Sequence, residues 1–291
     1  MKSLTELELD TCSCTWYYAA KTSTRKKMAR LLRRSSVEKY INSRYSQFKK
    51  IVEDVTFEPI PCDRKKLGAI FHDFYYRPPK KLKELLQYRR NEHKLEECPS
   101  CGNPFIPDTL DHFLPKEDWP EYSILPNNLV PQCRGCAPVK GDKYFCKKEG
   151  AALFLHPIYT GILEEVMFKI DVQVDKEIAT FSVSVGITNS VGVDDKARIQ
   201  RHMDKLAVNS RIQEFCVRQY ARWKYKLADS GGEIDFIFRA LLGSKLYEIW
   251  GENWSIAFML GVLRNPEAVI DLQRYSATTP IPAPRTIRAI N

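Results

Sequence analysis

The chain has no unbroken apolar run: its longest apolar patches, such as residues 254–263, are short and interrupted, whereas a helix needs about 20 predominantly apolar residues to cross a bilayer. It has no internal repeat. It has no Gly-x-x-x-x-Gly-Lys loop to cradle a phosphate, so any nucleotide hydrolysis has to come from another protein. Nothing at its start reads as a secretory signal, and Cys12, Cys14, Cys62, Cys146 and Cys216 follow no disulfide framework. These absences argue against a membrane protein and against a disulfide-stapled secreted one. The expectation is a cytoplasmic protein with reduced cysteines.

What is present is a chain of 291 residues with 44% hydrophobic content, enough for one sizeable domain or two modest ones. Its formal net charge of +9 suits a polyanionic partner, because Lys and Arg neutralise phosphates and release condensed counterions. The basic residues are uneven. Lys21, Arg25, Lys26, Lys27, Arg30, Arg33, Arg34, Lys39, Arg44, Lys49 and Lys50 fall in one stretch with Glu38 as its only acid.

Apolar residues recur every three to four positions over residues 26–52, which predicts one amphipathic helix whose basic remainder is either a solvated face or a nucleic-acid-contacting one. Prolines separate a short element at 67–76 from a helix at 80–90. Residues 166–174 and 179–185 alternate apolar and polar around Asp175-Lys176-Glu177, the pattern of a half-buried β-hairpin. Asp194 and Asp195 cap an expected long helix over 196–228, ended by Gly231-Gly232, and two more helices follow near 233–248 and 254–263. His202 and Cys216 would lie about 21 Å apart along that long helix, too far for nucleophilic catalysis. The tail, residues 276–291, lacks the apolar density to fold alone and is expected to be extended.

The remaining four cysteines form two Cys-x-x-Cys pairs, Cys98/Cys101 and Cys133/Cys136. Two such turns converge four thiolates tetrahedrally on one Zn²⁺ with no open position, a structural rather than a catalytic site. Between and just after the pairs lie Asp111-His112, Pro115, Asn127-Asn128-Leu129 and Lys140. Zinc knuckles around a hairpin also occur in binding modules with no catalysis, so the knuckles alone leave function open.

The segment Leu-Asp111-His112-Phe-Leu-Pro-Lys, then Asn128-Leu129, then Cys133-x-x-Cys136-x-x-x-Lys140 resembles the HNH endonuclease family, whose ββα-metal core is often braced by such a zinc. The resemblance implies His112 as the general base for an attacking water, Asp111 as ligand to a catalytic Mg²⁺ or Mn²⁺, Asn128 as the residue holding the loop that orients His112, and Lys140 on the phosphate backbone. Lys116 and Arg134 are further expected nucleic-acid contacts. The departure is Ala137, where the family places His or Asn as second metal ligand; alanine coordinates nothing, so this chain is expected to be impaired. Two explanations stand, an engineered disarming substitution or a natural pseudo-nuclease, and a third possibility is that Asp142 or His156 supplies the missing ligand. The finer text, with Trp119-Pro-Glu-Tyr-Ser-Ile and the downstream Phe154-Leu-His156-Pro157-Ile-Tyr159, resembles HNH subunits of bacterial anti-phage systems of the Septu type, in which the nuclease works beside an ATPase subunit.

The expected architecture is therefore α+β: a basic, mainly helical region at 1–83, a zinc-braced ββα-metal HNH core at 84–160, a β-hairpin with helices at 161–275, and an extended tail at 276–291. The expected function is DNA phosphodiester hydrolysis in anti-phage defence with an ATPase partner and a possible homo-oligomer; the alternative is a non-catalytic DNA-binding or assembly subunit.

Overall fold

The computed structural model describes residues 1, 2, 4–8, 15–188 and 191–277, so the expectation for the tail lies almost wholly outside the described residues. The chain divides into two compact units, one formed by Met1–Val166 with Ile187–Val208 and the other by Met167–Gly186 with Asn209–Asn291. This groups the regions 1–83 and 84–160 together and adds to them the helix that follows the hairpin. No helix among the described residues is long and apolar enough to cross a membrane.

Among the described residues, a 3-10 turn at Thr5–Leu7 precedes the α-helices α1 (Thr15–Lys21), α2 (Lys26–Leu32), α3 (Ser35–Glu53), α4 (Lys65–Tyr76) and α5 (Lys80–Asn91) of the first unit. The single helix expected over 26–52 is broken into α2 and α3, with Arg34 in an extended conformation between them. The break is held from outside: the Tyr17 hydroxyl donates to Leu32 O at 2.6 Å and Arg33 donates to Lys21 O at 2.7 Å, satisfying carbonyls that a helix end leaves without partners. The apolar stripe of α3, Val37, Ile41, Tyr45, Phe48, Ile51 and Val52, is buried throughout, because residues three and four apart share one face.

Strand β1 (Thr109–His112) pairs antiparallel with β2 (Leu129–Gln132), and the short helix α6 (Cys136–Lys140) follows. A second, minimal pair joins β3 (Phe145–Cys146) to β4 (Ala151–Ala152). After the hairpin strands β5 (Val166–Asp175) and β6 (Ile178–Ile187), helix α7 (Val193–Lys205) returns to the first unit. There the His202 ring accepts from Leu155 N at 3.0 Å and donates to Ser100 O at 2.7 Å. The long helix expected over 196–228 is thus two, α7 and α8 (Val208–Ser230), broken where Ala207 takes a φ of 51°. Leu206 on one side of the break and Val208 on the other are both fully buried, so packing overrides the local helical preference.

The second unit packs β5 and β6 with α8, α9 (Ile234–Leu242), α10 (Trp254–Arg264) and α11 (Pro266–Gln273). Lys176 and Glu177, both at positive φ, make the two-residue turn that matches the twist of a hairpin. Its inner face, Phe168, Ile170, Val172 and Phe181, is buried, and Phe215, Phe238, Trp254 and Phe258 complete an aromatic core. Asn253 caps α10 and Asn265 caps α11, and Asn265 also donates to Val172 O at 2.7 Å, tying the helix junction to β5.

Helix α10 approaches β5 so closely that a Cβ added at Gly261 would stand 2.3 Å from Ile170 O. Gly261→Ala is expected to destabilise the protein by about 1–3 kcal/mol through overpacking, whereas Gly161→Ala, with open space around the added atom, is expected to be close to neutral. Thermal melting of the two variants side by side checks this; equal midpoints would show that α10 does not lie on β5.

Candidate metal centre and the site beside it

The four cysteines expected to converge do so. Both Cys-x-x-Cys segments are tight turns, with Gly102 N donating to Cys98 O at 2.8 Å and Cys136 N to Cys133 O at 3.0 Å. All four are buried and unbridged. Their sulfurs lie within 4.8 Å of one another, with Cys98 to Cys136 at 4.0 Å and Cys101 to Cys133 at 3.8 Å. Four thiolates at about 2.3 Å from one ion stand about 3.8 Å apart at the corners of a tetrahedron. The donor set therefore fits a metal ion such as zinc. Burial pushes the Cys101 thiol well above its usual value, so four anionic sulfurs are sustained there only beside a cation. Cys133 N and the Asn103 amide donate towards the sulfurs Cys98 Sγ and Cys133 Sγ, at 3.5 and 3.8 Å.

The same two turns frame the ββ pair and α6. In the register of the strands, Asp111 faces Val130 and His112 faces Leu129. Asn128, fully buried, clamps the backbone just after His112: its Oδ1 accepts from Leu114 N at 2.7 Å, its Nδ2 donates to Leu114 O at 3.0 Å and to Tyr122 O at 3.1 Å, and its own carbonyl accepts from Phe113 N. Trp119 to Ser123 complete the support. Glu121, fully buried, pairs with Arg44 of α3 at 2.7 Å, Tyr122 donates to Arg44 O, and the Ser123 carbonyl accepts the His112 Nε2 proton at 3.0 Å.

Four buried histidines, His93, His112, His156 and His202, each donate Nε2–H to a carbonyl, of Pro107, Ser123, Asn127 and Ser100 respectively. Since a carbonyl only accepts, the proton of the neutral ring is on Nε2 and Nδ1 carries the lone pair. In His93, His156 and His202 that lone pair accepts from Leu95 N, Ile158 N and Leu155 N. His112 differs: its Nδ1 accepts no hydrogen bond among the described residues, and its ring packs edge-on against Tyr75 at 4.4 Å. Desolvation pushes His112 down to about 3, so the imidazole is neutral at physiological pH.

Lys140 is 1% exposed, and its ammonium lies 3.0 Å from Asp111 Oδ2 and 2.8 Å from His112 O, above the Phe154 ring. The expected phosphate contact is thus replaced by an internal one, because α6 ends pointing this side chain under β1. Of the other expected nucleic-acid contacts, Lys116 is paired with Glu117 at 2.8 Å and only 17% exposed, while Arg134 is 80% exposed and paired with Asp108 at 2.7 Å.

The residues beside His112 do not fit the divalent ion that the sequence resemblance implies. Asp111 has one oxygen engaged by Lys140, Ala137 offers no donor atom, and both nitrogens of His156 are committed. Asp142 is exposed beside Glu117, and its carboxyl is raised first by desolvation and then by that neighbour. Among the described residues the four cysteines are the one group of three or more such side chains whose ligand atoms come together. Sequence reading missed the Ser123 carbonyl, the Arg44–Glu121 pair and the His202 tie; the Trp119-to-Ser123 text was visible, but a backbone carbonyl has no sequence signature.

Fold and site define an α+β chain with small sheets and a buried four-cysteine cluster able to hold a metal ion. No family model matches the chain, and no solved structure matches it. A stretch of 41 residues is 51% identical to Protein ea31 of Escherichia phage lambda, covering 14% of this chain and 14% of that protein.

Cys98→Ser is expected to release the ion and abolish the cooperative melting of the first unit, because binding energy in such a site is folding energy; metal content by mass spectrometry alongside a melt checks this, and a variant that keeps its ion and melts normally would refute it. The buried histidines set a pH dependence. His112 and His156 are lowered to about 3 and His202 to about 4, whereas the unfolded chain takes up these protons near pH ~6.5. Stability from this source is complete above that pH and falls as pH drops towards 4, at about 1.4 kcal/mol per pH unit for each histidine. Urea unfolding between pH 7 and 5 reads the slope, and His202→Gln should make it shallower.

Proposed function

We propose that residues 84–160 carry the ββα-metal core of an HNH endonuclease with a structural zinc on Cys98, Cys101, Cys133 and Cys136. On this reading the chain acts on DNA phosphodiester bonds in anti-phage defence beside an ATPase partner, and Ala137 impairs that activity here. The observation that carries the reading is the contrast between His112 and its three buried counterparts, whose second nitrogens are used to hold backbone. His112 alone among them keeps a lone pair without a hydrogen bond, on a strand clamped by Asn128 and Ser123, which is what a general base requires. Burial makes it a weak base at rest; a phosphate anion brought close raises its basicity. The first unit also offers a cleft of about 520 Å³ lined by Ser23, Thr24, Lys26, Ala29, Arg30 and Arg33, three cations without an acid, which supports a polyanionic partner.

A second reading, a non-catalytic DNA-binding or assembly subunit, is favoured by Ala137 together with the Asp111–Lys140 pair. Plasmid cleavage with Mg²⁺ or Mn²⁺ separates the two, comparing this chain with Ala137→Asn and with Ala137→Asn combined with His112→Ala. Cutting is expected to appear in Ala137→Asn and to vanish when His112→Ala is added to it. Silence of Ala137→Asn, even with an ATPase partner supplied, would put the non-catalytic reading first.

A further inference from the structure

The position beside Asp111 already holds a cation. Lys140 is among the largest fully buried side chains of the protein, and its ammonium is fixed by Asp111 Oδ2 at 3.0 Å, His112 O at 2.8 Å and the face of Phe154 at 5.9 Å. Burying an ammonium is unfavourable unless it is paired and hydrogen-bonded, and the same holds for the carboxylate. Each therefore requires the other. Ala137 and Lys140 stand three residues apart on α6, hence as neighbours on one helix surface. The chain thus sets a small side chain without a donor atom where a ligand is expected, and a lysine beside it. The cavity that Asp111 and Lys140 share with Ser100, Gln132 and His202 has a volume of about 10 Å³, at the limit for one water, so the pair is closed on that side.

Resting on the reading of residues 84–160 as a ββα nuclease core, we propose that the Lys140 ammonium is the resident counter-cation of Asp111, so that this centre is charge-balanced without a divalent ion. A divalent ion brought to Asp111 has to compete with the ammonium for the charge of one carboxylate, whose Oδ2 Lys140 engages. Replacing Ala137 by a ligand then supplies a donor but leaves the competitor in place. Lys140 is in these terms an internal lock on the ion site and not a contact to phosphate.

The test is Mn²⁺ binding, followed by the electron paramagnetic resonance of free Mn²⁺ and by melting temperature, on the full zinc-loaded chain. The proteins are the chain itself, Ala137→Asn, Lys140→Met, and Ala137→Asn with Lys140→Met, each with and without Asp111→Asn. The chain itself is expected to show no Asp111-dependent uptake. Lys140→Met is expected to melt lower and to regain part of the loss when Mn²⁺ is added. The double variant is expected to bind Mn²⁺ about tenfold tighter than Ala137→Asn alone, the order of effect of removing one nearby like charge, and Asp111→Asn should remove that binding. Asp111-dependent uptake by the unmodified chain, or equal affinities with and without Lys140, would overturn the proposal. If Lys140→Met does not fold, ¹⁵N-lysine spectra of the unmodified chain decide: a slowly exchanging ammonium lost in Asp111→Asn supports the pair, and its absence refutes it. The nuclease reading fails separately, on plasmid cutting: Ala137→Asn can cut while binding Mn²⁺ equally with and without Lys140, or Ala137→Asn with Lys140→Met can bind Mn²⁺ and stay silent.

Discussion

Convergence of four buried cysteine sulfurs is the constraint on which the first unit depends. Cys98 and Cys101 sit ahead of β1, Cys133 directly follows β2 and Cys136 opens α6, and bringing their sulfurs within 4.8 Å of one another fixes the end of β2 and the start of the helix against the turn that leads to β1. Two strands of four residues each and a helix of five have little cohesion of their own. Without a cation among the sulfurs, four thiols would have to pack as neutral groups, and the pull that sets β1 over α6 would weaken. The placing of Asp111 and His112 against Lys140 follows from that closure.

Buried histidines transmit the closure outward. His202 joins α7 to the Cys98–Cys101 turn through Ser100 O, His93 joins the end of α5 to Pro107 just before β1, and His156 joins the 153–159 segment to Asn127. Each uses both ring nitrogens between two backbone groups, a satisfied buried arrangement that favours the neutral ring. His112 belongs to the same set by burial and by its Nε2 bond, yet departs from it at Nδ1. That difference is informative because it is measured against three internal controls in one interior.

The cysteine spacing, the β-hairpin at 166–187 and the helix at 80–91 were legible because each rests on local pattern: turn-forming Cys-x-x-Cys, alternation, and proline punctuation, while the element at 67–76 was bounded by prolines without its type being read. The breaks at Arg34 and Ala207 were not, since neither is Pro or Gly and both are imposed by packing from outside the segment. Within the site, Asp111, His112 and Asn128 were candidates from text alone, and the fold brings Asn128 against the backbone of Leu114, two residues past His112. The direction of Lys140 could not: the same residue after a cysteine pair reads as a surface cation until the helix that carries it is seen to end beneath β1. Roles played by backbone carbonyls, such as that of Ser123, leave no residue type to read.

On the proposed reading, charge placement would separate recognition from chemistry in this unit. The cations expected to meet a phosphate are paired, Lys140 with Asp111, Lys116 with Glu117 and Arg134 with Asp108. By contrast, Lys26, Lys27, Arg30, Arg34, Lys39 and Lys50 on and between α2 and α3 are exposed. Exposed ion pairs contribute little energy, whereas unneutralised cations in a row release counterions when a polyanion docks. On the reading proposed above, affinity for nucleic acid would reside on the α2–α3 face, and the ββα centre would govern only what happens to a strand once held. On that reading, a centre without a ligand at position 137 would keep its partner, so impaired cutting and retained binding are compatible in one chain.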